Sequence, residues 1–370
     1  MERKGNSMNV ITFGEIMGRL APEGNRRFSQ AMPGTVSMSF AGAEANVAVS
    51  VALLGGESAY CTVLPKHAVA EACLCSVRAL GVDTSRIIRS DHGRLGLYYL
   101  ETGANQRSSN VIYDRSGSSL AIMPPEQYDW DVILNSFSWL HLTGITPSLS
   151  RNAAQATQDA AETAKKYGMT VSMDLNFRKK LWAWNPPVPA RELAEKTLRK
   201  ILPSVDLVIA NESDCADVLG IHAQNSDTEK GNIDIRHYPA VAQEVVQQFP
   251  NIQKVAITLR ESISATHNNW GGMLYDARKN EAFFAPLDTD GNYKPYEIRA
   301  IVDRVGAGDS FGAALIFALT TDELSDSVTA IRFAAASSCL AHSISGDFNY
   351  VTRSEVESLM AGDTSGRVKR

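Results

Sequence analysis

The chain has 370 residues, enough for two average domains or one large α/β domain with a full core. Its 36 basic and 41 acidic residues leave a net charge of −5, and the lack of any basic block argues against nucleic-acid binding. Five scattered cysteines without paired CxxC motifs, a polar MERKGNSM start and apolar runs too short for a bilayer fit a soluble, cytoplasmic protein with reduced thiols and no membrane role.

The apolar run Asn9 to Phe13 predicts a first buried strand leading into Gly14 and Glu15. The polar segment that follows, to about Phe40, suits a loop or short exposed strands. Ala41 to Gly56 reads as a helix, with Val47, Val51 and Leu54 on one face and Gly55 as its stop. Gly42 lets another group approach the helix start. Asn46 offers either a ligand contact or a local bond at the helix end.

Apolar runs and helical stretches then alternate through Ser58 to Leu64, Ala68 to Leu80, Phe137 to Leu142, Ala153 to Tyr167, Met169 to Leu175 and Val205 to Ala210. Such a series implies a mostly parallel sheet covered by helices on both faces, with ligands beyond the carboxyl ends of its strands. One segment interrupts it. Between Ile87 and Leu120, LGLYYLET and SNVIYDRS read as a hairpin, which together with residues 16–40 forms a small sheet over the site, a lid. Tyr98, Tyr113 and Arg115 either touch a polar ligand there or are ordinary strand residues.

Asp174, Asn176 and Arg178 are spaced by two, hence on one face if the chain stays extended, and Arg178 is suited to grip an anionic group bidentately. Asn211, Glu212 and Asp214 begin a short helix ending at Gly220. Their oxygens suit Mg²⁺ held partly through water, or simply start the helix. Thr258 to Tyr275 reads as a strand, a polar loop and a second strand. Three helices close the chain, after Asp309, from about Ser325 to Ala341 and from about Ser354 to Met360. Asp347, in the loop between the last two, either faces the site or turns the chain.

The stretch IVDRVGAGDSFGAA, Ile301 to Ala314, carries the chemistry. Glycines at 306 and 308 form a tight turn, and Phe311, Ala314, Leu315 and Ala318 mark one helix face after it. The unpaired amides at the positive end of such a helix attract phosphate. Asp309 at that mouth either caps the helix or takes a proton from a hydroxyl attacking phosphorus.

AGAEANVAVSVALLGG and DRVGAGDSFGAAL resemble the two signatures of the ribokinase or PfkB family of sugar kinases. HLTGITPSLS, SMDLNFRKKLW and SISGDFN are most similar to its 2-keto-3-deoxygluconate branch, and the similarity runs from about Val10 to Met360. The resemblance implies a single ribokinase-like domain over residues 8–362, a three-layer α/β/α sandwich with a mostly parallel sheet and a small β-sheet lid through which the chain forms a homo-oligomer. Residues 1–7 and 363–370 are expected to be flexible tails. By resemblance Asp309 is the catalytic base, and the amides of Gly306, Ala307 and Gly308 form the anion hole. Gly42, Asn46, Tyr98, Tyr113, Arg115, Arg178 and Asp347 would hold the sugar acid, with Arg178 on its carboxylate. Asn211, Thr258 and Arg260, with Gly306 and Gly308, would hold ATP, and Asp214 would meet Mg²⁺ through water. The implied reaction is ATP-dependent phosphorylation of 2-keto-3-deoxygluconate on its primary hydroxyl. The alternatives are 2-keto-3-deoxygalactonate, fructose or ribose as acceptor, or a sugar-binding regulator without chemistry. Three positions depart from the family pattern: Ala41 replaces a glycine, Asp214 replaces the glutamate of NxxE, and TLRES replaces a glycine-bearing TLGxxG loop.

Overall fold

Short runs such as VITF, WLHLT and LVIA are apolar and buried on both faces, the pattern of central strands in a parallel sheet. A computed structural model describes residues 9–211, 213–222 and 234–363. The expected tail at 1–7, that at 363–370 apart from Asp363, and Glu212 lie outside the described residues. In chain order the strands are β1 (Val10–Phe13), β2 (Met17–Ala21), β3 (Ser37–Ala41), β4 (Ser58–Cys61), β5 (Val63–Pro65), β6 (Ile88–Ser90), β7 (Gly96–Glu101), β8 (Asn110–Asp114), β9 (Trp139–Thr143), β10 (Thr170–Asp174), β11 (Leu207–Ala210), β12 (Lys254–Ser264), β13 (His267–Asp276), β14 (Glu281–Ala285) and β15 (Tyr296–Ile298).

The main sheet runs in the order β14-β13-β12-β11-β10-β9-β1-β4, with β15 beside β13. From β12 to β4 every pair is parallel, and β13, β14 and β15 extend it antiparallel. Successive residues face opposite layers. Val208 packs with Leu193 and Val245 of the helices Ala190–Ile201 and Tyr238–Gln248, while Ile209 packs with Phe311 and Phe333 of the helices Ala307–Leu319 and Ser327–Ala341. The result is a ribokinase-like three-layer sandwich.

The lid is the second sheet, β3-β2-β7-β8. β7 and β8 form the expected hairpin, and β2 joins β7 in parallel with Arg19 opposite Tyr98. Met17, Tyr98 and Tyr113 turn one face of this sheet to the body. The start of the 87–120 segment is not lid, because Ile88–Ser90 pairs with β5 instead.

Two local expectations are corrected. The chain does not stay extended past Asp174: β10 ends there and Asn176 takes a left-handed φ of 38°. The polar stretch after Thr258 is not a loop, since β12 continues to Ser264 and only Ala265 and Thr266 separate it from β13. Cross-strand pairs explain this, Arg260 opposite Trp270 and Glu261 opposite Asn269, whose Nδ2 donates to Glu261 Oε2 at 2.8 Å.

Candidate active site

The carboxyl ends of β1, β9, β10, β11 and β12 converge with the lid and the Gly306 turn around a cavity of about 420 Å³. Of the expected site residues, all but Ala307 line it; Ala307 is 3% exposed and can offer only its backbone.

Gly306 is the N-cap of the Ala307–Leu319 helix, with φ 86° and ψ −7°. A Cβ there would lie 2.4 Å from the Asp347 carbonyl oxygen, so both conformation and space demand glycine. At Gly308 a Cβ would meet nothing within 4 Å, which leaves room in front of the helix's first amides.

With Gly306 as the N-cap, Asp309 is three residues into the helix and its carboxylate does not cap it. Its Oδ2 instead accepts from Asn46 Nδ2 at 2.6 Å. Asn46 Oδ1 accepts from the Gly42 amide at 3.3 Å, so one side chain serves its own helix end and the acid on another. Burial pushes the Asp309 carboxyl up to about 6; the Asn46 bond and Arg178 oppose the rise, and Asp347 adds to it. A carboxyl in that range can take a proton near neutral pH. At Gly42 the group that approaches the helix start is backbone. A Cβ at this position would lie 2.1 Å from the Glu15 carbonyl, so the close approach is of backbone to backbone.

Asp347 faces the cavity, with its oxygens 2.8 and 2.9 Å from Tyr98 Oη and one of them 2.5 Å from Arg19 Nη1. Arg115 reaches the cavity with its charge already matched: Nε donates to Glu15 Oε2 at 2.6 Å, and its guanidinium lies 5.7 Å from the Tyr113 ring centre. Arg178 differs. It is exposed, Nη1 donates to the Phe177 carbonyl at 3.1 Å, and among the described residues no carboxylate pairs with it. Asp174 shares the cavity, its carboxyl pushed well up by burial and by the neighbouring Asp214 and Asp309.

The Asn211–Asp214 pair starts its helix. Asp214 Oδ2 accepts from the Asn211 amide at 2.9 Å and Oδ1 from the Phe177 amide at 3.1 Å, while Asn211 Oδ1 accepts from the amides of Ser213 and Asp214. Among the described residues no cluster of three or more His, Cys, Asp or Glu is placed to hold a metal ion. Thr258 and Arg260 line the cavity from β12, with Trp270 opposite Arg260 on β13.

A model of the pfkB family carbohydrate kinases matches residues 8–264. The chain belongs to that family. It is 30% identical to a 2-dehydro-3-deoxygalactonokinase of Haloferax volcanii over 96% of this chain and 98% of that one. A 2-dehydro-3-deoxygluconokinase of Bacillus subtilis is 31% identical over 47% of this chain and 53% of its own. The solved 2-dehydro-3-deoxygluconokinase of Thermotoga maritima superposes with a TM-score of 0.85 at 40% identity, covering 96% of this chain and all of that one.

Several residues of this carbohydrate kinase's cavity escaped the reading of the sequence: Glu15, Met17, Val111, Ile145, Trp270 and Val305. Glu15 had a usable signal, an acid directly after the first buried strand. The apolar members had none, since each reads as ordinary core. Behind the site, the fully buried Glu44 carboxyl, pushed up to about 7 by burial, accepts from the Thr143 and Thr146 hydroxyls at 2.7 and 2.8 Å and fills the space a side chain on Gly14 would need.

Proposed function

We propose that this carbohydrate kinase transfers the γ-phosphoryl group of ATP to the primary hydroxyl of 2-keto-3-deoxygluconate, giving 2-keto-3-deoxy-6-phosphogluconate. The observation that carries the reading is the Asp309 carboxyl, held by Asn46 beside the Gly306–Gly308 amides and raised to about 6. Asp309 takes the hydroxyl proton as that oxygen bonds to the γ-phosphorus and the bond to ADP breaks. The amides of Gly306, Ala307 and Gly308 meet the charge on the transferring group.

Arg178 receives the acid's carboxylate, because it lines the cavity and, among the described residues, no carboxylate pairs with it. Asn46, Tyr98 and Asp347 serve the acceptor's hydroxyls, and Gly42, Tyr113 and Arg115 shape the same side. Asn211, just after β11, and Thr258 and Arg260, on β12, form the nucleotide's share of the cavity. Mg²⁺ fits here as an ion carried by the nucleotide: Asn211 and Asp214 already accept backbone amides, which leaves them a contact through water. Bound so, the ion neutralises phosphate charge.

A single domain over residues 8–362, working in the cytoplasm where ATP is available, accommodates this chemistry. No helix among the described residues is long and apolar enough to cross a membrane. The outer lid face leaves Met38 43% and Ile112 53% exposed, which supports pairing with the lid of a second copy.

A second reading, 2-keto-3-deoxygalactonate as the acceptor, is favoured by the Haloferax relative. Fructose or ribose would leave Arg178 without a partner. ADP release measured with the two sugar acids, fructose and ribose, with and without Mg²⁺, tests the proposal. The sugar acids should be preferred, and Arg178→Ala should lower their kcat/KM by roughly 10- to 150-fold, the value of a hydrogen bond to a charged group. Neutral sugars should lose little; an equal loss on both classes, or a preference for neutral sugars, contradicts the assignment.

A further inference from the structure

Four polar side chains, Arg19, Tyr98, Asp303 and Asp347, are each at most 8% exposed and meet where the lid joins the body. Arg19 and Tyr98 are register partners on β2 and β7. Arg19 Nη1 donates to Asp347 Oδ1 at 2.5 Å, and Nη2 donates to Asp303 Oδ2. Asp303 in turn accepts the Val305 amide at 3.1 Å on Oδ1 and the Gly346 amide at 3.3 Å on Oδ2. One guanidinium therefore ties a lid strand to both loops that shape the Gly306 turn, the one leading into it and the one whose Asp347 carbonyl lies against it.

Arg19 does not line the cavity that holds Asp309, so it touches no reacting group. It faces a separate space between lid and body. Two buried carboxylates so close together are tolerable only with a cation between them, and a planar fork can meet both at once where an ammonium cannot. If the lid lifts, either both contacts break or both loops follow.

We propose that Arg19 is a positioning residue, which through Asp303 and Asp347 holds the Gly306–Gly308 amides in register with Asp309 when the lid is seated. This rests on the catalytic reading of that turn, whose own failure would appear separately as full turnover in Asp309→Asn. The test is Arg19→Ala in the full chain, with kcat and both KM values measured for ATP and the sugar acid, and a melting curve to verify folding. The expected result is a fall in kcat of about 10²-fold, the cost of a misplacement near 1 Å, with KM for ATP nearly unchanged and any rise in the sugar acid's KM, as Asp347 loses its partner, smaller than the fall in kcat. Millimolar guanidinium chloride should restore much of the rate where equal sodium chloride does not, and Arg19→Lys should recover only part. A wild-type kcat, a loss carried by KM, or a loss that guanidinium leaves unmoved overturns the proposal. Should Arg19→Ala fail to fold, Arg19→Met with Asp303→Asn removes one of the stranded charges along with the guanidinium. The same kcat fall is expected there, and a wild-type kcat again overturns it.

Discussion

Replacing Asp309 by Asn separates the acid's chemistry from its cost to the fold. Burial raises the carboxyl from 3.8 to about 6, so the folded chain binds this proton more tightly than the unfolded chain does. Stability linked to the group is fully present below pH 3.8 and is lost as the pH rises through about 6. The difference, 6 − 3.8 ≈ 2.2, amounts to about 3 kcal/mol at about 1.36 kcal/mol per pH unit. This is an upper bound, because the side chain is partly open to solvent at the cavity wall. Asn keeps an oxygen to accept from Asn46 and carries no charge. With an unfolding entropy of about 0.8 kcal/mol/K for a chain of this size, Asp309→Asn should melt up to about 4 °C above wild type at pH 8, and that gain should shrink to under about 1 °C by pH 4. Turnover at pH 8 should fall by at least about 10²-fold for loss of the base. Calorimetry at three pH values and a single-turnover assay read the two effects. A melting difference that is the same at pH 4 and pH 8, or a variant with undiminished turnover, would refute the reasoning.

Wild-type kcat/KM should rise with pH to a plateau above about 6, following ionisation of Asp309. Asn46→Ala removes the bond that favours the ionised form, so its pH–rate profile should move to higher pH; an unmoved profile contradicts the pairing. Gly306→Ala combines a left-handed φ with a Cβ 2.4 Å from the Asp347 carbonyl, and should cost about 1–3 kcal/mol in denaturant unfolding together with most of the activity. Gly308→Ala meets no neighbour, so it should melt like wild type while its methyl group crowds the phosphate's place and lowers kcat.

Much of this was legible in the sequence because it rests on local signals. Buried apolar runs alternating with helices dictate the parallel sheet, and the helix-free stretch with its polar turn marks the lid hairpin. Gly306 was legible since a tight turn before a helix calls for a left-handed residue. What depends on distant partners was not legible. Arg115 read as free to meet a ligand, yet its charge is matched by Glu15, 100 positions away. Arg19 drew no notice because its two acids lie 284 and 328 positions along the chain. TLRES read as a loop because its polarity is visible locally, whereas the β13 residues that hold it extended are not. The even spacing of Asp174, Asn176 and Arg178 promised one face of a strand, but the strand ends at Asp174, and the cavity gathers all three by a turn.

Following phosphorus by ³¹P NMR while the protein acts on ATP, Mg²⁺ and 2-keto-3-deoxygluconate tests the transfer most directly. The expected spectrum gains a phosphomonoester on the primary carbon and ADP in equal amounts, and gains neither with Asp309→Asn over the same interval. Inorganic phosphate in place of the ester, or an ester formed only on a neutral sugar, would contradict a sugar-acid kinase driven by Asp309.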